Sequence, residues 1–231
     1  PSLSAGRMPE YLKANRLAVE NIKDKPVLSG CIGPFSLAGR LYDMSEIMVG
    51  IYIEPDVVKT LLDKCTAYIT AYCRELKAIG VTGVIMAEPA AGLLSNEDCQ
   101  EYSTVYVRQI VEAVQDENFA VILHNCGNKG QCTQAMIDSG AAALHFGNAV
   151  NMVETLEQCP SDLIVMGNID PVGILKQATS EEVYRITADL LSKTSQYKNF
   201  VISSGCDMPP LVPDANIKAF YQAIADFNTG K

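Results

Sequence analysis

Six short runs of apolar and β-branched residues recur along the chain, at 25–31, 83–87, 120–124, 141–146, 162–166 and 199–203, with helical patterns between them. Runs that are apolar on both faces read as buried parallel strands, because a strand with one solvated face alternates polar and apolar residues. The intervening stretches keep their apolar residues three and four apart. The longest is 55–79, with Leu61, Leu62, Cys65, Ile69, Tyr72 and Leu76 at helical spacing. Further helices are predicted over 96–114, 181–195 and 213–227, and shorter ones over 8–22, 130–139 and 151–157. Ser95 with Asp98, and Thr179 with Glu182, have the spacing of a capping box.

Strands alternating with helices imply a mostly parallel sheet with right-handed crossovers. An open doubly wound sheet and a (β/α)8 barrel both satisfy that pattern. No Gly-rich dinucleotide fingerprint follows the first strand, and no Walker loop occurs. The strand ends decide the reading. Five of them run into Gly33-Pro34, Glu88-Pro89, His124-Asn125-Cys126-Gly127, His145-Phe146-Gly147-Asn148 and Gly167-Asn168-Ile169-Asp170, and the last into Gly205-Cys206-Asp207. Chemistry at the carboxyl end of strand after strand is the arrangement of a barrel, whose site is built from βα loops. The expected fold is therefore α/β of the (β/α)8 TIM-barrel type, a single domain over residues 1–231. About six βα units are present, and the first two are expected to be missing from this chain. Such an arc leaves two unpaired strand edges, so the chain is expected either to be part of a longer protein or to cover the gap as a homo-oligomer.

Composition narrows the function. The chain is 48% hydrophobic and 19% charged, enough for a sizeable core. Its net charge is −9 and its 18 basic residues form no run, which excludes nucleic acid as a main partner. No apolar run approaches the length of about 18 residues that spans a membrane. Eight irregularly spaced cysteines, several within helical apolar patterns, read as free thiols in a reducing cytoplasm. None forms a CxxC pair, so a zinc ribbon is ruled out.

The chain has two histidines, and one lies in Val121-Ile122-Leu123-His124-Asn125-Cys126-Gly127. On an extended strand, residues i and i+2 project to the same side, so His124 and Cys126 leave the strand end together. An imidazole nitrogen and a thiolate so placed can share one Zn²⁺. A third ligand is available where Cys206 ends the last strand. A Cys₂His set leaves one position open, as a catalytic zinc requires. The same His-x-Cys pattern on a buried strand also describes a packed or hydrogen-bonded pair with no metal.

The segment Gly30-Cys31-Ile32-Gly33-Pro34-Phe35-Ser36-Leu37-Ala38 resembles the Gly-Pro-Phe-Thr-Leu-Ala stretch of the uroporphyrinogen decarboxylase superfamily. Within that superfamily, His124-Asn125-Cys126-Gly127, Gly167-Asn168-Ile169-Asp170-Pro171 and Gly205-Cys206-Asp207-Met208-Pro209-Pro210 are similar to the methylcobalamin:coenzyme M methyltransferase branch. The resemblance runs from about Gly6 to Asn228. It implies a (β/α)8 barrel whose third to eighth strands are the six runs above, with zinc on His124, Cys126 and Cys206. It also implies a small thiol as zinc ligand and substrate, and a methylated corrinoid such as methylcobalamin, free or on a separate corrinoid protein, as co-substrate.

Other strand-end residues carry two readings each. Glu88 is a resting-state zinc ligand or a base for the thiol proton, or else a rim carboxylate that caps a helix or pairs with a lysine. Asp170 is a catalytic carboxylate, or an N-cap ahead of Pro171. Asn168 and Gly33 are candidate cofactor contacts, although Gly33 also suits a tight turn or close approach. His145 supplements the ligands or is a satisfied core histidine. Asp207 is a candidate partner for His124. Two other functions remain open. One is metal-free porphyrinogen decarboxylation, which should want an arginine-lined cavity, yet the six arginines fall mostly on helical patterns. The other is a non-catalytic corrinoid- or metal-binding paralogue.

Overall fold

A computed structural model describes residues 2–230. Strands β1 (Leu28–Ile32), β2 (Gly83–Ala87), β3 (Ala120–Asn125), β4 (Ala143–Phe146), β5 (Ile164–Ile169) and β6 (Phe200–Ser204) form one parallel sheet in that order. Order separates the two architectures open to the sequence. A doubly wound sheet reverses direction at a switch point, whereas a barrel adds each strand beside the last. The sheet is of the barrel type, as expected. Among the described residues, no pairing joins β6 to β1.

Among the described residues, ten α-helices connect or flank the strands: α1 (Met8–Asn21), α2 (Pro34–Tyr42), α3 (Met44–Ile53), α4 (Pro55–Ile79), α5 (Asn96–Cys99), α6 (Val105–Val114), α7 (Thr133–Ile137), α8 (Met152–Gln158), α9 (Ser180–Thr194) and α10 (Asp214–Thr229). Alternation along the strands sends Val84, Met86, Val121, Leu123, Leu144 and Phe146 into one core with Ile69, Cys73 and Leu76 of α4 and Val107 and Ile110 of α6. The alternate positions face the other side of the sheet, where Ile85 and Val201 remain exposed. No helix among the described residues is long and apolar enough to cross a membrane.

Local chemistry shifts several boundaries. β1 begins at Leu28, beyond Pro26, which has no N–H to give to a ladder. β5 runs on to Ile169, so Asn168 is a strand residue paired with Ser203. Helices α2 and α3 were not predicted. Pro34 opens α2, and Asp43, at φ +80°, accepts the Ser45 and Glu46 amides to start α3. The predicted helix 96–114 is helical throughout, with a π-helical segment, Gln100–Thr104, inside it. Thr179 and Glu182 form a complete capping box, whereas Ser95 accepts from the Asp98 amide and donates to the Asp98 carboxylate, which leaves its own amide uncapped by that side chain.

Leu144 is fully buried in the centre of the sheet. Leu144→Ala is expected to cost about 2–5 kcal/mol, read as a lower urea midpoint at unchanged slope.

Candidate metal centre

Register builds the site. β3 pairs with β2 and β4 so that Ala87, His124 and His145 lie side by side on the open face. Beyond the end of β3, Cys126 follows His124 on the same side, and Cys206 arrives from the turn after β6. The donor atoms of His124, Cys126 and Cys206 all lie within 4.8 Å of one another. His124 Nε2 is 3.6 Å from Cys206 Sγ. A tetrahedral ion with ordinary Zn–N and Zn–S bonds separates such ligand atoms by roughly 3.6 Å, so this edge of the tetrahedron is already set. The donor set fits a borderline-soft cation: one imidazole, two thiols and room for a fourth group. Backbone closeness brings Cys126 in, since a Cβ on Gly147 would stand 2.8 Å from the Cys126 Cα.

No lysine or arginine lines the cleft onto which the donors open. His124 is buried, and burial pushes its pKa down against the Asp207 charge and hydrogen bonding to the His145 backbone. Burial also drives His145 down to about 4, helped by repulsion from His124, so both rings are neutral. The Cys126 thiol is pushed up to about 11 by burial and then by Cys206. A bound cation reverses that last effect, because a coordinating thiol is deprotonated outright. His124 and His145 meet Nδ1 to Nδ1 at 2.7 Å, and His145 Nε2 lies 2.9 Å from Ser203 Oγ. The three donors, with Ile85, Asp207 and Ala87, line an open cleft of about 600 Å³.

The remaining candidates stand elsewhere. Glu88 is 1% exposed and turned away from the cleft. Its Oε1 accepts the Ser36 amide at 2.7 Å, at the start of α2, which is the helix-capping role. Its Oε2 has no partner and fills the space that a Cβ on Gly33 would occupy. Gly33 thus serves the approach of Glu88. Asn168 donates from Nδ2 to the carbonyls of Gly147 and Val150, tying down the loop after β4. Asp170 accepts from the amides of Val172 and Gly173 and caps a run of turns. Asn168 and Asp170 line a separate cleft with Asp189 and Lys193. Sequence reading did not single out Ser203, since a lone serine in a strand carries no signal until its register with β5 is known.

Comparison with known proteins agrees with this architecture. The profile of the uroporphyrinogen decarboxylase (URO-D) family matches residues 1–227, and the chain belongs to that family. The methylcobamide:CoM methyltransferase MtbA of Methanosarcina mazei is 28% identical over 229 residues, covering 98% of this chain. A uroporphyrinogen decarboxylase of Legionella pneumophila is 24% identical over 99% of it. The chain spans 66% of the length of each. Among solved structures, a methyltransferase from Methanosarcina mazei superposes with a TM-score of 0.88 at 22% identity, over 98% of this chain and 66% of the other. A B12-independent methionine synthase from Shewanella does so at 0.69 and 17%, over 96% and 68%.

Glu88 supplies a test of the burial argument. Its carboxyl is raised from 4.5 to about 8 by desolvation, against the Ser36 and Phe35 hydrogen bonds. A group with a raised folded-state pKa stabilises fully below its unfolded value, and that contribution is lost as pH rises through the folded one. Set against the rising slope that the two histidines with lowered pKa contribute up to their ordinary value of 6.5, Glu88 should contribute between pH 5 and 8 a falling slope approaching about 1.4 kcal/mol per pH unit. Glu88→Gln should flatten that slope in urea titrations, and equal slopes would show that the carboxyl ionises normally.

Proposed function

We propose that this chain carries the metal site of a zinc-dependent corrinoid methyltransferase, which moves a methyl group between a methylated corrinoid and a small thiol. The carrying observation is the Cys₂His donor set at the ends of β3 and β6, within 4.8 Å and open to a cleft. The similarity to MtbA supports the same reading. His124, Cys126 and Cys206 are the proposed ligands. A zinc ion held there would supply Lewis acidity that lowers the pKa of a bound small thiol, and a corrinoid giving up its methyl group to that sulfur would be left as Co(I).

The chain's own residues do the rest. The three ligands fix where the substrate sulfur sits, and the wall of Ile85 and Ala87 keeps one side of it apolar. Asp207, beside Cys206, holds negative charge near the His124 ring, which increases the basicity of that ligand. Glu88, buried at the start of α2, is assigned to holding that helix, and Asn168 and Asp170 to shaping the loops around the mouth. The corrinoid, free or on a separate protein, is proposed to approach over the carboxyl ends of the strands, where a barrel presents its site. The eight free thiols support a reducing compartment such as the cytoplasm.

A porphyrinogen decarboxylase is the second reading, favoured by the relatives that bear that name. Its polycarboxylate substrate calls for arginine or lysine, and none of the described residues lining the cleft is either. Arg16, Arg40, Arg74, Arg108 and Arg185 all lie on helices. Decarboxylation also gives no use to a clustered Cys₂His set.

Metal analysis after purification without chelators separates the readings. The wild type is expected to hold about one zinc per chain, the stoichiometry of a single tetrahedral site, and Cys206→Ala only a small fraction of it. Loss of the methylcobalamin spectrum with a small thiol present should then depend on zinc. A wild type that takes up no zinc even when it is added back would overturn the proposal.

A further inference from the structure

One hydrogen-bond chain at the site has a direction, and the direction bears on metal binding. A neutral imidazole carries a proton on one nitrogen only, and it can ligate only through the other. His124 faces Cys206 with Nε2 and His145 with Nδ1. At 2.7 Å, the two Nδ1 atoms share one proton, since two would clash and none would set lone pair against lone pair.

Two chains satisfy that requirement, running in opposite senses. In one, Ser203 donates to His145 Nε2, His145 Nδ1–H donates to His124, and His124 is left with Nε2–H pointing at the sulfur. In the other, His124 Nδ1–H donates to His145, His145 Nε2–H donates to Ser203, and His124 Nε2 is bare. Ser203 decides between them. Its Oγ is placed to donate to the Ser204 carbonyl at 3.1 Å, and a carbonyl can only accept. With the hydroxyl hydrogen engaged there, Oγ meets His145 Nε2 at 2.9 Å with a lone pair.

We propose that His145 and Ser203 lock His124 in its Nδ1–H form, so that Nε2 is presented bare to the metal before any metal arrives. His145 is thus a positioning residue that acts through His124. Its use rests on the zinc reading above, but the protonation pattern belongs to the metal-free protein and can be read there. The sequence places His145 on β4, and the register with β3 sets it opposite His124.

The chain has only two histidines, so ¹⁵N-histidine labelling gives four ring nitrogens. His145→Asn, which keeps one histidine, assigns them. In metal-free wild type the expected spectrum has the proton of His124 on Nδ1 and that of His145 on Nε2, with the forms mixing in Ser203→Ala. A proton on His124 Nε2 in the wild type overturns the lock, and an unchanged Ser203→Ala spectrum removes Ser203 from it. Zinc competition against a chromophoric chelator supplies the second readout. His145→Phe should weaken zinc by about 10–100-fold, the usual cost of losing a ligand's hydrogen-bond partner. His145→Asn, whose Oδ1 can stand in for Nδ1, should stay close to wild type. Equal affinities for the Phe variant and wild type, or equal losses in Phe and Asn, refute the role. A wild type that shows the expected protons yet binds no zinc defeats the metal reading alone.

Discussion

Hydrogen bonding between β3 and β4 sets Leu123 against Leu144 and His124 against His145. A one-residue slip of either strand would turn its leucine out of the core and its histidine into it. The apolar pair holds that register, because Leu144 is fully buried and Leu123 nearly so. Site and core are thus two faces of one pairing. The pairing carries on to β5 and β6, where the row of histidines meets Met166 and Val201, and Ser203 lies two residues further along β6 on the way to Cys206. No separate device is needed to aim the donors.

Burial costs polar groups their water, and each group at this end of the sheet meets that cost differently. His145 uses both of its nitrogens, and Asn168 uses its amide on two carbonyls. Glu88 satisfies one oxygen at the start of α2 and leaves the other bare, which is why its proton is held so tightly. The three donors are the exception. The sulfurs of Cys126 and Cys206 and the Nε2 of His124 meet chiefly one another, at distances such as the 3.6 Å between Cys206 Sγ and His124 Nε2, and that donor set suits a soft cation.

Much of this was legible in the chain. The strands were visible because a buried parallel strand has no polar alternation to blur it. The His124-x-Cys126 pair followed from the two-residue period, and Cys206 from its place at a strand end. Placement across elements was not legible. Glu88, Gly33, Asn168 and Asp170 all end strands, yet the structure sets Glu88 and Gly33 against each other and Asn168 and Asp170 beside a different cleft. Strand ends point to a rim without saying which neighbours a side chain meets there. Helices α2 and α3 were hidden because Gly33-Pro34 and Asp43 read equally as loop. Ser203 became meaningful only with the register in hand.

The donors also differ in when the chain can supply them. His124 and Cys126 leave the same strand, but Cys206 lies 82 residues beyond His124 and reaches it only after β4, β5 and β6 have paired in turn. Contacts that close so long a loop form late, since their entropy must be met by the pairings that come before. A half-assembled sheet therefore offers two donors, and only a finished one offers three. The donor set amounts to a checkpoint on its own scaffold: an ion that demands all three is excluded from every incomplete form of the sheet.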